Sequence, residues 1–198
     1  MSSLHNDITS QSRWVITNEA ETRATILSGI ADEKEFYRRS SIIDFLDVKG
    51  KTVLDFGCGV GRISKRVIER GAKKYIGVDW SHTMLEQARK IHAGIEVIEF
   101  IQNDGDKIPV GDVSVDIVVA ELVLQHNSKE ASLTIFNEVI RVLKENGQFI
   151  GNIPRDGTFV GGFSEGEIRQ IFTGFSLKYF EDPTVIWYLQ LILEKVKQ

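Results

Sequence analysis

A single cysteine, Cys58, stands in a chain of 198 residues, so no intrachain disulfide can form and nothing calls for an oxidising compartment. Proline is nearly as scarce, with three in all, and no stretch is rich enough in proline or glycine to mark a linker. Long apolar runs are missing too. The nearest approach, Val185 to Leu193, is broken by Gln190 and falls far short of the ~20 residues of a membrane helix. The opening residues, Met1 to Ser12, are polar and lack the apolar stretch of a secretion signal. Basic charge is not in excess: 24 Lys and Arg against 28 Asp and Glu leave a net −4, whereas nucleic-acid binders are more often basic. No His, Cys and carboxylate cluster has metal-ligand spacing. These absences lead us to expect a cytoplasmic protein with no metal, no membrane association and no nucleic-acid partner.

What the chain does contain is ordinary globular material, 42% hydrophobic and 26% charged, in a length that suits one domain over residues 1–198. Residues 13–46 show no strand-like alternation and read as two helices, the second starting near Asp32 with Phe36, Ile43 and Leu46 at helical spacing. From Lys51 onward strand and helix signals alternate. Strands are expected at Thr52–Phe56, Lys74–Asp79, Ile95–Ile101, Val115–Ala120 and Gln148–Ile153, the last entered through an Asn146-Gly147 turn. Helices are expected at Arg62–Arg70, after Ser81 with Met84, Leu85, Ala88 and Ile91 inward, and after Ser128 with Leu133, Phe136, Val139, Ile140 and Leu143 inward. Ser164 and Glu167 form a capping box, and Phe175–Glu181 with Thr184–Leu193 reads as a closing antiparallel hairpin, though a helix over Val185–Val196 fits the same periodicity. Repeated βα units predict a doubly wound α/β fold with a mostly parallel sheet covered on both faces. Ligands of such sheets bind beyond the carboxyl ends of the strands.

The sharpest local signal is Val53-Leu54-Asp55-Phe56-Gly57-Cys58-Gly59-Val60-Gly61. An apolar strand runs into three glycines at alternate positions and then into a helix, so the backbone can turn sharply and approach a ligand closely. A tight turn that binds nothing fits the same residues. A phosphate-binding P-loop would need Gly-Lys-Ser/Thr, but Arg62-Ile63 follows Gly61. The dinucleotide spacing G-x-G-x-x-G is also missed, because the third glycine comes one residue early. Asp79 ends the second strand and can accept both hydroxyls of a ribose, or simply cap the next helix. Trp80 and Met84 fall where they could sandwich an adenine, and Asp104, at the mouth of the third strand before Gly105, could accept from an exocyclic amine. Asp-Gly is equally a turn signal.

In this order the segments resemble the class I S-adenosylmethionine-dependent methyltransferases, specifically the small methyltransferase-domain group. The likeness spans Lys51 to Ile153, through VLDFGCGVG, GVDWSHTMLEQA, QNDGDKIPVGDVSVDIVVAELVLQH and RVLKENGQFIGNIP, and the tail from Phe163 to Lys195 follows the family's last helix and reversed final strand. Phe56 departs from the family, which more often has a smaller aliphatic there. The resemblance implies a seven-stranded Rossmann-like sheet over residues 51–198, with residues 1–48 as helices on the acceptor side. It implies S-adenosylmethionine as cofactor and S-adenosylhomocysteine as product. By position, Gly57, Cys58 and Gly59 would form the loop around the methionine and sugar, with Asp55 ordering it. Asp79 would hold the ribose, Trp80 and Met84 flank adenine, Asp104 and Gly105 meet its amine, and Glu121 contact the methionine moiety.

His126, in Leu124-Gln125-His126-Asn127 after the fourth strand, is the candidate general base for an acceptor that must lose a proton; a structural histidine fits the same place. The thiol of Cys58 has no activating partner in view and reads as packing. His5, His82 and His92 read as solvated. The segment Ala120-Glu121-Leu122-Val123 lacks the Asn/Asp-Pro-Pro-Tyr/Phe pattern of nucleic-acid amino methyltransferases, which with the acidic total favours a small-molecule acceptor and leaves a protein or peptide target open. Competing readings are a catalytically silent cofactor-binding scaffold or regulatory subunit, a nicotinamide oxidoreductase and an aminopropyl transferase.

Overall fold

The computed structural model describes residues 42–104, 107–157, 161–179 and 188–196. Of the helices expected over residues 13–46, residues 13–41 lie outside these, as do Gly105 and the tip of the closing hairpin; the described end of the second is no α-helix. A short 3₁₀ turn, Ile42–Phe45, leads into seven strands: β1 (Thr52–Phe56), β2 (Lys74–Asp79), β3 (Ile98–Gln102), β4 (Val115–Ala120), β5 (Leu143–Pro154), β6 (Phe175–Tyr179) and β7 (Tyr188–Lys195). Between them lie helices α1 (Ser64–Glu69), α2 (His82–Ile91), α3 (Lys129–Val142) and α4 (Glu165–Ile171). The strands form one sheet in the order β3-β2-β1-β4-β5-β7-β6. Every pairing from β3 across to β5 is parallel, and β7 alone runs against its neighbours β5 and β6.

The central strands carry continuous apolar runs because both faces are covered. Alternate residues serve opposite layers. Val53, Ile117, Val119 and Ile150 pack with Val67 of α1 and Ile63 just before it, Leu85 and Ala88 of α2, and Ile43, Leu46 and Val48. Leu54, Phe56, Val118, Ala120 and Phe149 face Ile135, Phe136, Val139 and Val142 of α3 and Ile168 of α4. Phe136 anchors that second layer, with ring centroids 5.4 Å from Phe163 and 5.2 Å from Phe172. The parallel order turns between β1 and β4, so the carboxyl ends of these strands flank the switch point where open α/β sheets hold ligands.

Strand positions follow the sequence closely, and the departures are local. Ile91 and Leu133, expected inward, are each 38% exposed, and the buried faces of their helices are made instead by Met84, Leu85 and Ala88 and by Ile135, Phe136 and Val139. β3 begins at Ile98 rather than Ile95, because Ile95 N–H bonds back to His92 O at 3.2 Å and closes a turn after α2. Asn146 does adopt a left-handed φ of 61°, but inside β5: Leu143 pairs with Val115 while Gln148 pairs with Ile117. The expected turn is therefore a bulge that lets β5 begin five residues early. Both serine caps form, Ser81 accepting from Met84 N and Ser128 from Ala131 N, and the Ser164–Glu167 capping box is complete.

Candidate active site

At the end of β1 the chain makes a turn that only glycine accommodates easily. Gly57, Gly59 and Gly61 have φ of 74°, 55° and 76°, all in the left-handed region that costs other residues ~1–2 kcal/mol. Their surroundings differ. A Cβ on Gly57 would meet Val123 at 2.4 Å, and one on Gly61 would meet Phe100 at 2.6 Å, but nothing lies within 4 Å of a Cβ on Gly59. Two of the glycines thus make room for protein, and the middle one faces open space. The turn is pinned to β2: Gly57 and Cys58 N–H both donate to Val78 O, at 2.7 and 3.1 Å.

Asp79, at the end of β2, is 8% exposed and carries the connection further. Its Oδ2 accepts from Gly59 N at 2.8 Å and its Oδ1 from Ser81 N at 2.8 Å. A carboxylate offers about four acceptor positions, so it can hold the glycine turn and still accept from a ligand. Burial pushes its pKa up, while the N–H groups of Ser81, Gly59 and Trp80 pull it down.

Asp55 lies beneath the turn, 6% exposed, accepting from the Tyr75 hydroxyl at 2.6 Å. Burial pushes its pKa up to about 7; the Tyr75 bond opposes this, the Glu121 charge adds to it and Arg62 opposes it. Arg62, the residue after the last glycine, forms an ion pair with Glu121 just beyond β4, the two side chains 18% and 13% exposed. The pair ties the glycine turn to the segment after β4. That segment continues with Leu122 at a left-handed φ of 56°, its N–H donating to Asn152 Oδ1 at 3.2 Å and its carbonyl accepting from Gln125 Nε2 at 2.6 Å.

Residues 53–147 match a family model described as "Methyltransferase domain". The core of this chain is a class I S-adenosylmethionine-dependent methyltransferase domain. Among its relatives is the ribosomal protein L11 methyltransferase of Pectobacterium carotovorum, 33% identical over 143 residues, which are 71% of this chain and 43% of that one. The malonyl-[acyl-carrier protein] O-methyltransferase of Legionella pneumophila is 32% identical over 106 residues, 53% of this chain and 37% of the relative. The chain thus spans less than half the length of either. In fold it is similar to magnesium protoporphyrin IX methyltransferase from Synechocystis, solved with S-adenosylmethionine bound, at a TM-score of 0.66 and 20% identity, covering 96% of this chain and 92% of that one.

Within the methyltransferase domain, the strand ends bring Asp55, Gly57, Gly59, Asp79 and Glu121 to one rim. Met84, 6% exposed, and Trp80, 42% exposed, lie on and just before the start of α2. Trp80 is fixed through its backbone, whose carbonyl accepts from Gln102 Nε2 at 3.0 Å. Asp104 is exposed just past β3, next to Asn103, whose N–H bonds to Asp79 O at 3.1 Å. Cys58 points the other way: its thiol is buried in the layer with α1 and α2, and burial raises its pKa well above the usual range. Its part in the loop is its backbone. His126 is half-buried in the 3₁₀ turn Leu124–His126. Its Nε2 lies 3.2 Å from the amide nitrogen of Gln125, which as an N–H donor engages that ring nitrogen.

Three participants were not legible in advance. Arg62 enters the sequence only as the start of a helix and as the residue that, with Ile63, excludes a P-loop, and nothing local to it points to Glu121. Tyr75 looks like strand packing until the register places it beside Asp55. His92 is corrected outright: it is 4% exposed, not solvated, and lies under the glycine turn. Among the described residues no His, Cys and carboxylate group is placed to hold a metal, and no helix is long and apolar enough to cross a membrane.

Proposed function

We propose that this protein transfers a methyl group from S-adenosylmethionine to a small-molecule acceptor. The observation that carries the reading is the bond from Gly59 N to Asp79 Oδ2: one carboxylate fixes the only glycine of the turn with open space beside it and keeps acceptor capacity for a ribose. In this reading Gly57, Cys58 and Gly59 supply the loop, Asp55 orders it from below, and Asp79 binds the ribose hydroxyls. Trp80 and Met84 flank the adenine, Asp104 and Gly105 meet its amine, and Glu121 meets the methionine end. When bound, the cofactor supplies a methyl group already activated on a sulfonium, so the chain's work is position and orientation. His126 takes a proton from the acceptor where one must leave, and Gln125 must release its Nε2 for it to do so.

We read residues 1–198 as one unit in which residues 1–48 approach the acceptor side. Supporting this, Ile43, Leu46 and Val48 are buried against the sheet, and Arg66 and Arg70 of α1 and its flank pair with Asp44. A small acceptor agrees with the net −4, and the malonyl-[acyl-carrier protein] methyltransferase relative, whose acyl group rides on a carrier protein, fits either reading. A protein acceptor is the second reading, favoured by the L11 methyltransferase relatives. The test is incubation with methyl-labelled S-adenosylmethionine and a cell extract split by ultrafiltration. Label entering the filtrate fraction supports the small acceptor, and label on retained protein supports the second. Label in neither, with cofactor bound, would mean a silent scaffold.

A further inference from the structure

The turn that carries His126 is fixed by its backbone before any side chain acts. Val123 overhangs the glycine turn, since a Cβ on Gly57 would meet its Cγ2 at 2.4 Å. Its carbonyl accepts from His126 N at 3.1 Å and from Asn127 Nδ2 at 3.1 Å, and Leu124 between them is fully buried. His126 therefore stands at a set place close to the glycine turn. Gln125 folds back on the same segment, its Nε2 lying 2.6 Å from Leu122 O and 3.2 Å from His126 Nε2. A backbone carbonyl can only accept, so the amide atom beside it is the nitrogen and not the oxygen. That nitrogen has two protons, one for each neighbour, and the ring nitrogen that takes the second must be unprotonated. The neutral imidazole accordingly carries its proton on Nδ1. The other atom of the amide has no such match. Gln125 Oε1 is buried without a hydrogen-bond partner among the described residues, although a buried acceptor left unsatisfied is costly.

We propose that Gln125 is a positioning residue that selects the tautomer of His126, keeping Nε2 unprotonated as the atom that takes the substrate's proton, and that its buried Oε1 receives the ring once that proton has arrived. This rests on the reading of His126 as the base. In the neutral ring the Gln125 N–H occupies the Nε2 lone pair, the place that the donor group of a methyl-accepting substrate must take. When the substrate's bond to hydrogen breaks, its electron pair stays on the accepting atom and the proton goes to Nε2. Two N–H groups would then face each other across 3.2 Å, so the present contact cannot survive the transfer. A half-turn of the amide about its last side-chain bond replaces the N–H with Oε1, which accepts from the new Nε2–H. Leu122 O loses its donor in that exchange, and water can serve it because Leu122 is 49% exposed. The orphaned oxygen thus gains its partner in the protonated state alone.

The test is nitrogen NMR of the histidine rings at about pH 8, above the ordinary histidine range, on wild type, Gln125→Met and Gln125→Glu, with His126→Gln identifying the His126 resonances. An unprotonated ring nitrogen resonates far downfield of a protonated one, so the spectrum reads the tautomer directly. Wild type should carry the proton on Nδ1. Gln125→Met, similar in length but without a donor, should lose that preference, and Gln125→Glu, whose carboxylate only accepts, should move the proton to Nε2. A glutamine that only packs would leave the tautomer unmoved in both variants. Wild type with the proton on Nε2, or Gln125→Glu with it still on Nδ1, would overturn the inference. Should Gln125→Met fail to fold, wild type and Gln125→Glu carry the test. Given methyl-labelled S-adenosylmethionine and cell extract, Gln125→Glu should bind the cofactor within about twofold of wild type and transfer label at least about tenfold more slowly. Transfer by Gln125→Glu as fast as by wild type would overturn the link from tautomer to reaction. Wild type that binds no S-adenosylmethionine would overturn the cofactor reading instead, and the ring resonances would still decide the part of Gln125.

Discussion

Gly57 and Gly59 share a backbone conformation but not a neighbourhood, and that difference separates folding from binding. Both sit at left-handed φ, so alanine at either costs ~1–2 kcal/mol. At Gly57 the new methyl would also meet Val123 Cγ2 at 2.4 Å and Cγ1 at 2.8 Å. Gly57→Ala should therefore lose more stability than Gly59→Ala in urea unfolding, and adding Val123→Ala should recover part of the excess. Gly59→Ala, with open space beside it, should keep its fold and lose cofactor affinity. Equal losses of stability for the two single variants would contradict this division. Asp55 makes a second prediction at the same scale. Its pKa is raised from 3.8 to about 7 in the folded protein, chiefly by burial. The folded state then holds a proton that the unfolded chain has already released, so this residue's contribution to stability falls as pH rises from about 4 to 7 and levels above. Asp55→Asn should gain stability relative to wild type across that window. A difference independent of pH would show that the carboxyl stays ionised.

Among the elements, the strands were the most legible because their apolar runs are explained by burial on both faces. β1, β2 and β4 begin and end where composition placed them. β3 and β5 shifted at their starts for reasons that reside in tertiary hydrogen bonds: the Ile95–His92 turn and the bulge against β4. Helix caps were readable from single residues, since a serine hydroxyl needs only a backbone N–H three positions on. Ser164→Ala should cost about 1 kcal/mol of stability in urea unfolding, by removing the hydroxyl that accepts from Glu167 N; no measurable change would mean that α4 is held by Ile168 and Phe172 alone. Less legible was the clamp on the loop before β4. Arg141 of α3 donates to Ile108 O at 2.8 Å and Val110 O at 3.0 Å, while Glu138 accepts from Ile108 N at 2.9 Å. Arg141→Ala should speed amide exchange at Ile108 N and Val113 N, whose bonds the clamp maintains; unchanged protection would assign the loop's order to other contacts.

For the whole molecule, the placement of the candidate site's residues was readable wherever a residue type and its strand end were enough. Asp55, Gly57, Gly59, Asp79 and Glu121 fall on one rim because successive parallel strands end there, which the alternation of elements already implies. What escaped reading was pairwise: Arg62 with Glu121, Tyr75 with Asp55, and His92 with Val60 and Ser64 are joined across 20 to 59 residues of sequence. Such pairs depend on register, and no local pattern records it. Together they make the glycine turn a rigid object, held from β2 by Asp79, from β4 by Glu121 and from α2 by His92. Calorimetric titration of the full chain and of Asp79→Ala with S-adenosylmethionine, with NAD as a control, tests that picture most directly. Wild type should bind S-adenosylmethionine in the micromolar range and ignore NAD, and Asp79→Ala should bind at least about tenfold more weakly, the loss of charge-assisted hydrogen bonds worth ~1.5–3 kcal/mol. Binding of NAD without S-adenosylmethionine, or an Asp79→Ala protein that binds as well as wild type, would contradict it.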